Sequence, residues 1–470
     1  MLSELVTFNV QQLQGMYPDA VASDNFLWVE VRNVSFSRGG ILADNKRELA
    51  LTGLGTKVRG MGALRTGAGV QELYYGTLTN LYRSAALSAA VSVGSGYTTK
   101  EHETVSGLAG QWQFAAWGEW MIASNGTDPI QVRKGTGSFG PLLQDGTTAL
   151  VISKAKLLYR YGPYILAANT SESVTSFRWC SDDNVEDWIP EETNTAGELF
   201  VRDTDSELTA WTSLGDKIAL YTREEMFLIS YIGAPNIFGY VPLLNGFGAY
   251  GPKAVVSVGR QNYGWGRSGI WVTDGAQFSF IDEGKVREWL KDKLYEPQAS
   301  KIVGFHNEVL HRIEWYFPVS DSAENAEGIA YDYTLGEWTR LINAYSAALE
   351  RDVFQYALAA DINNSFYALN TGLPSGAYLL SKPIYLGSAA REAFISKIRV
   401  FCSGSVDFSL GISSDPTEPV LWFPVETLTS AWGIYEVNHS AMYVTLKLTS
   451  DVEFKVQKIE IYGRPAGKRK

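Results

Sequence analysis

The sequence predicts an all-β chain: a β-propeller of about six or seven degenerate blades, preceded by an N-terminal arm and followed by a C-terminal β-sandwich. Three observations lead there. Trp, Tyr and Phe number 14, 25 and 21 and occur beside 45 glycines, the composition of short strands joined by tight turns. Aromatic or β-branched runs ending in short turns recur at roughly 40–50 residues, the spacing of four-stranded blades. Apolar residues make up 45% and charged residues 19% of the 470, a globular composition with chain enough for more than one domain.

Residues 1–52 read as an arm with its first strands. Gly15-Met16-Tyr17-Pro18-Asp19 is turn chemistry, and Phe26 to Phe36 alternates like a strand until Gly39-Gly40 breaks it. Residues 53–388 are assigned to the propeller. Gly53, Gly55, Gly60, Gly62, Gly67 and Gly69 interrupt its opening too often for a helix. Hairpins then follow at Leu73–Arg83, Phe114–Ile122, Leu157–Leu166, Ala210–Leu220, Val255–Asp274, Ile302–Phe317 and Tyr356–Leu369. One helix is predicted over Gly284–Leu294, with Val286, Trp289, Leu290 and Leu294 on a single face and Pro297 preventing its continuation. Residues 389–463 carry six strand-like runs, enough for a small sandwich. Residues 464–470, Arg-Pro-Ala-Gly-Lys-Arg-Lys, form a basic tail.

The formal net charge of −11 argues against a protein that grips nucleic acid by its phosphates, yet suits one that DNA slides past. Cys180 and Cys402 stand far apart in no metal-type spacing and read as buried thiols of a reducing cytoplasm. No basic segment followed by a long apolar run suggests export or stable membrane insertion.

No motif survives as a catalytic or cofactor site. Gly135-Thr-Gly137-Ser-Phe-Gly140 has the dinucleotide-binding string, but Pro141 and a non-helical segment follow where a helix is required. Gly53-Leu-Gly55-Thr56-Lys57 lacks phosphate-loop spacing. His306 and His311 lie five apart, which on one strand puts them on opposite faces and argues against a zinc pair. Many acids are present, but nothing selects the two a glycosidase needs. Two strings carry structural meaning. Tyr331-Asp332-Tyr-Thr-Leu-Gly336-Glu-Trp338 resembles the Asp-box hairpin of sialidase-like propellers, and Ser181–Trp188 is a looser version. In such hairpins the Asp holds turn N–H groups and the Trp packs between blades. We therefore expect no catalytic, cofactor or metal residues. Lys57, Arg59 and Arg65, with Arg464, Lys468, Arg469 and Lys470 of the tail, are the candidate contacts to DNA or a neighbouring subunit, weighed against solvated strand-face charges.

The N-terminal pattern Gly15-x-x-Pro18-Asp19, then Trp28-x-x-x-Arg32-Asn33-Val34-x-Phe36-x-x-Gly39-Gly40, resembles the opening of phage tail and neck proteins. Gly55-Thr-Lys57-x-x-x-Met61-Gly62 and Tyr74 to Arg83 resemble the first blade of the packaged-DNA stabilisation proteins, the nozzle, hub or tail tubular B-type proteins of podophages. Gly248-Ala-Tyr-Gly251, Gly269–Gly275, Ala330–Trp338 and Gly404–Pro416 extend the likeness. Leu54 departs from it, standing where a Pro is expected.

The resemblance implies a non-enzymatic virion tail protein assembled in the host cytoplasm. It implies a homo-oligomeric ring of six below the portal and its adaptor, at the head–tail connection. The ring would form the DNA-ejection channel, help retain the genome, and dock fibres, spikes or a needle. The sandwich becomes a platform-type contact surface, and an acidic ring lumen would let DNA pass. The alternative is a carbohydrate-binding or glycan-cleaving receptor protein at the tail tip.

Overall fold

The computed structural model describes residues 3–19, 27–103, 108–320, 322–387, 392–429 and 431–465. The chain is all-β, and the described residues hold one short α-helix, Arg287–Lys293, and three 3-10 turns. Seven four-stranded antiparallel meanders follow one another: 61–95, 113–141, 155–200, 210–245, 255–280, 303–341, and 347–369 completed by Arg47–Thr52. Six of them are separate sheets, and the 303–341 meander is part of an eleven-stranded sheet.

The first strand of each meander packs beside the first strand of the next. The first strand of the seventh, Ala347–Leu349, packs in turn beside Met61–Arg65 of the first. The circuit is sealed by the N-terminal segment: Arg47–Thr52 pairs antiparallel with Ser365–Leu369, placing Leu51 opposite Phe366. Chain residues more than 300 positions apart thus share one sheet.

Hydrophobic cores lie between neighbouring meanders. One joins Leu73 and Tyr75 of the first to Leu358 and Phe366 of the seventh; another joins Leu157 and Trp179 of the third to Leu220 and Phe227 of the fourth. Tryptophans staple the joints. The indole of Trp112 donates to Thr77 O (2.8 Å), Trp211 to Leu158 O (3.2 Å), Trp315 to Ala254 O (3.2 Å) and Trp338 to Ile281 O (3.2 Å). A buried indole covers on the order of 150–250 Å² and needs one acceptor, and a neighbouring sheet supplies both. Two glycines make room for such rings. A Cβ on Gly264 would meet Trp271 at 2.1 Å, and one on Gly304 would meet Trp315 at 2.8 Å.

The 331–338 string acts as expected, whereas in the looser 181–188 string Asn184 Oδ1, not an Asp, accepts the turn N–H, from Glu186 N at 3.0 Å. Asp332 Oδ1 accepts from Thr334 N (2.8 Å) and Leu335 N (3.0 Å), and Trp338 is fully buried. Trp188 is fully buried in the core between the second and third meanders.

The C-terminal residues form two sheets face to face. Ala393–Gly404, Gly433–Ala441 and Phe454–Pro465 make one; Val406–Ser413, Tyr443–Ser450 and Ala377–Ser381 belong to the other. Alternating residues such as Ile398, Phe408, Leu446 and Ile459 fill the space between, and Phe408 meets Tyr435 edge-on at 5.0 Å.

The strands of the N-terminal arm pair with later parts of the chain. Ser3–Phe8 and the hairpin Val34–Ser37/Gly40–Ala43 join the first of these sheets. Trp28–Arg32 lies between Glu337–Leu341 and Ala377–Ser381, parallel to the former and antiparallel to the latter. An extended N-terminal segment has unpaired N–H and C=O groups, and these sheet edges satisfy them. The turn at Pro18-Asp19 also has a partner: the Asp19 carboxylate accepts from Glu288 N (2.8 Å) and Trp289 N (3.0 Å), capping the helix from outside.

Candidate functional site

The ring of first strands encloses a central cavity of about 660 Å³. Every meander contributes to its wall, for example through Ala63, Ala115, Tyr159, Thr212, Val256, Gly304 and Leu349. Small residues recur because seven strands converge on a narrow axis. Polar groups interrupt this wall. Ser213 Oγ donates to Ser257 Oγ at 3.1 Å, and the charged side chains are Arg160, Lys253, Glu350 and Asp352.

Glu350 faces the cavity's water but is enclosed by protein on its other sides. Burial pushes its carboxyl pKa up and Asp352 adds to this; the His306 N–H and Lys253 oppose it, without reversing the direction. The His306 N–H donates to Glu350 Oε1 at 3.1 Å. Burial pushes the Lys253 ammonium pKa down, against the pull of Glu350. The cavity therefore gathers two basic and two acidic side chains, and burial disfavours the charged forms of Lys253 and Glu350.

The described parts of the connection between the first and second meanders, residues 96–103 and 108–112, reach across to later meanders. A loop joining adjacent meanders has no local reason to reach distant ones. Yet Glu103 pairs with Arg223 of the fourth meander and accepts from Ser300 N at 3.2 Å. Gln111 Nε2 donates to Ser300 O at 2.9 Å, just ahead of the sixth. Pro252 lines the main cavity and also a void of about 10 Å³ beneath this loop, room for roughly one water.

The sequence-derived basic candidates do not form one surface. Arg59 is buried, and its guanidinium donates to both oxygens of Glu324 at 2.6 and 2.5 Å. Lys57 pairs with Glu101 and lies 3.9 Å from Glu324; Lys301 approaches the same carboxylate at 3.5 Å. These residues close an internal charge cluster between the first and sixth meanders. Arg65 is exposed and donates to Val353 O at 3.0 Å, at the rim of the central cavity. Arg464 is exposed at the far end of the C-terminal unit, its guanidinium 5.3 Å from the Phe394 ring centre. Lys468, Arg469 and Lys470 lie outside the described residues.

The cavity's own charges escaped sequence reasoning because Arg160, Lys253 and Glu350 are 93 and 97 residues apart in turn. Their shared feature is position: Arg160 lies in the first strand of a meander, and Lys253 and Glu350 lie within two residues of one. Among the described residues no group of three or more His, Cys, Asp or Glu is arranged to hold a metal ion. No helix among them is long and apolar enough to cross a membrane.

No family model matches the chain, and no curated protein matches it. Solved structures similar to it include the computationally designed Ika8 protein (10% identity, TM-score 0.39), covering 76% of this chain and 99% of that one. A streptogramin B lyase shows 11% identity and a TM-score of 0.38 over 69% of this chain and 98% of its own. An exo-β-1,3-galactanase from Phanerochaete chrysosporium shows 9% identity and a TM-score of 0.30 over 89% of this chain and 100% of its own.

Proposed function

We propose that the seven meanders are the blades of a seven-bladed propeller and that the chain is a non-enzymatic structural subunit of a short-tailed phage tail. In this reading it forms a homo-oligomeric nozzle or hub ring below the portal-adaptor complex. The phage assignment rests on the N-terminal sequence pattern. The assembly assignment is carried by one observation: two apolar surfaces stand exposed on different units of the chain.

The first is the hairpin Glu225–Gly233/Ile237–Asn245, whose nine-residue strands carry exposed Tyr231, Ile232, Val241 and Leu244. The second is on the C-terminal unit, where Trp432 and Ile434 are exposed on the outer face of the first sheet, Trp432 lying 4.3 Å from Phe401. The sheet running from residue 303 through Trp28–Arg32 into the C-terminal strands fixes the unit that bears the second patch to the sixth meander. Two different patches on one body are what a head-to-tail ring requires, and clustered exposed apolar residues mark contact surfaces. The 660 Å³ cavity within each chain is too small for duplex DNA, whose major groove alone is about 12 Å wide. A DNA channel would therefore lie between chains, on the ring axis.

Mass photometry and negative-stain microscopy of the purified chain test this. Closed rings, dispersed by the paired substitution Ile232→Asp and Trp432→Ser, are expected. A wild-type chain that stays monomeric up to micromolar concentration sinks the assembly reading.

A second reading, glycan binding, is favoured by the central cavity, where Trp211 and Phe114 stand beside Arg160, Lys253, Glu350 and Asp352. Saturable binding in a glycan array, lost in Trp211→Ala, would support it over the first.

A further inference from the structure

The geometry points to a surface site for a divalent transition metal, zinc in the first instance, built from His306, His311 and Tyr333 on the sixth meander. The strand-alternation argument that separates these two histidines fails here. Val303–Asn307 ends at a 3-10 turn, Glu308–Leu310, and His311 adopts the left-handed conformation (φ 51°, ψ 46°) before Arg312–Pro318 begins. The turn is capped by Asn307, whose side chain accepts from Leu310 N. It folds His311 back over the strand that carries His306. Tyr333 N donates to His311 O at 3.2 Å, fixing the third residue beside them.

The result is convergent. His306 Nε2 lies 3.0 Å and His311 Nδ1 3.5 Å from the same Tyr333 hydroxyl. A tetrahedral ion with bonds of about 2.0–2.1 Å holds its ligand atoms roughly 3.3 Å apart. The separations of 3.0 and 3.5 Å bracket that edge, so small rotations of the exposed His311 ring and the half-buried His306 and Tyr333 rings admit an ion without moving the backbone. Only two members of the set are among the usual His, Cys, Asp and Glu ligands; the third donor is a phenol oxygen.

The surroundings favour a cation. Two carboxylates adjoin the cluster in the chain: Glu308 follows His306 by two residues, and Asp332 directly precedes Tyr333. Glu308 is exposed and free to turn toward a fourth position, which water can also fill.

Isothermal titration of the EDTA-stripped full chain with zinc chloride tests the site. One saturable equivalent per chain is expected, with Co²⁺ in its place giving the visible bands of a tetrahedral ion. His311→Asn, which keeps a residue tolerant of the left-handed conformation, and Tyr333→Phe should each weaken binding at least ~10-fold, with metal-free melting temperatures unchanged. Absence of a saturable equivalent in wild type overturns the assignment, as does equal affinity in both variants.

Discussion

Replacing Glu324 by Gln should destabilise the chain by an amount the structure allows to be worked out. Glu324 is the single carboxylate facing Arg59 (4% exposed) and Lys301 (3%), and it also lies near Lys57. Breaking a buried pair from one side costs about 3–5 kcal/mol, because the stranded charge keeps its desolvation penalty. Gln keeps one oxygen for the guanidinium, which places the variant at the lower end. Unfolding entropy of ~2.1 cal/mol/K per residue gives a chain of 470 residues about 1 kcal/mol/K. The melting temperature should therefore fall by about 3 °C at pH 7, measured by calorimetry.

The sign of the pH dependence follows from the site. Burial raises the Glu324 pKa, but hydrogen bonds from Arg59 and the charges of Arg59, Lys301 and Lys57 outweigh it, and the net direction is down. A depressed carboxylate contributes stability above its unfolded pKa and loses it as pH falls through the folded value. The gap between wild type and Glu324→Gln should narrow from pH 7 toward pH 3. Lys301 runs the other way. Burial and Arg59 hold it down to about 8 against an ordinary 10.5, so stability withheld below pH 8 returns between those values. A fall of under ~1 °C at pH 7, or a gap that persists at pH 3, refutes the reasoning.

Two further outcomes are expected. Leu51→Asp sets a carboxylate opposite the fully buried Phe366, a charge burial worth several kcal/mol. It should unseat strand 47–52, so that limited proteolysis newly cuts within 347–369; an unchanged digestion pattern argues against closure by this strand. Cys180 is fully buried, its thiol pushed up to about 12 by burial, and Cys402 is raised by the same cause. At pH 8 neither should react with an aromatic disulfide reagent until denaturant is added, and native labelling of either thiol contradicts this burial.

The local parts of the fold were legible because turns and alternation are local. Leu73–Arg83 is a hairpin because Thr77 and Asn80 make the turn, with Thr77 N donating to Asn80 O. Trp338 packs as its string suggests because an Asp-anchored turn fixes the strand that carries it. The predicted helix shortens to Arg287–Lys293 but keeps Val286 and Leu290 buried. What periodicity could not convey is which distant edges meet. Arg47–Thr52 alternates no differently from a strand of an arm, yet its partner is residue 365 onward. Arg59 reads as a surface charge among glycines, and only the approach of Glu324, 265 residues away, makes it internal. His306 and His311 were separated by an assumption of unbroken strand that one residue at φ 51° removes.

The N-terminal fifty residues join what the rest of the chain leaves open. They complete the seventh meander, bridge the sixth to the C-terminal unit, extend that unit's other sheet and cap the helix. Every one of these partners lies beyond residue 284. The earliest part of the chain must therefore wait for the latest, and such long sequence separations make folding slow. Until then the exposed edges of 365–369 and 377–381 remain open to pairing with other chains. For a protein read here as a ring subunit, this ordering has a consequence. The sheet that fixes the C-terminal patch to the sixth meander exists only once Trp28–Arg32 is inserted, so an incompletely folded chain offers its neighbours two patches with no fixed relation. Ring closure then selects for chains in which the N-terminal segment is already home.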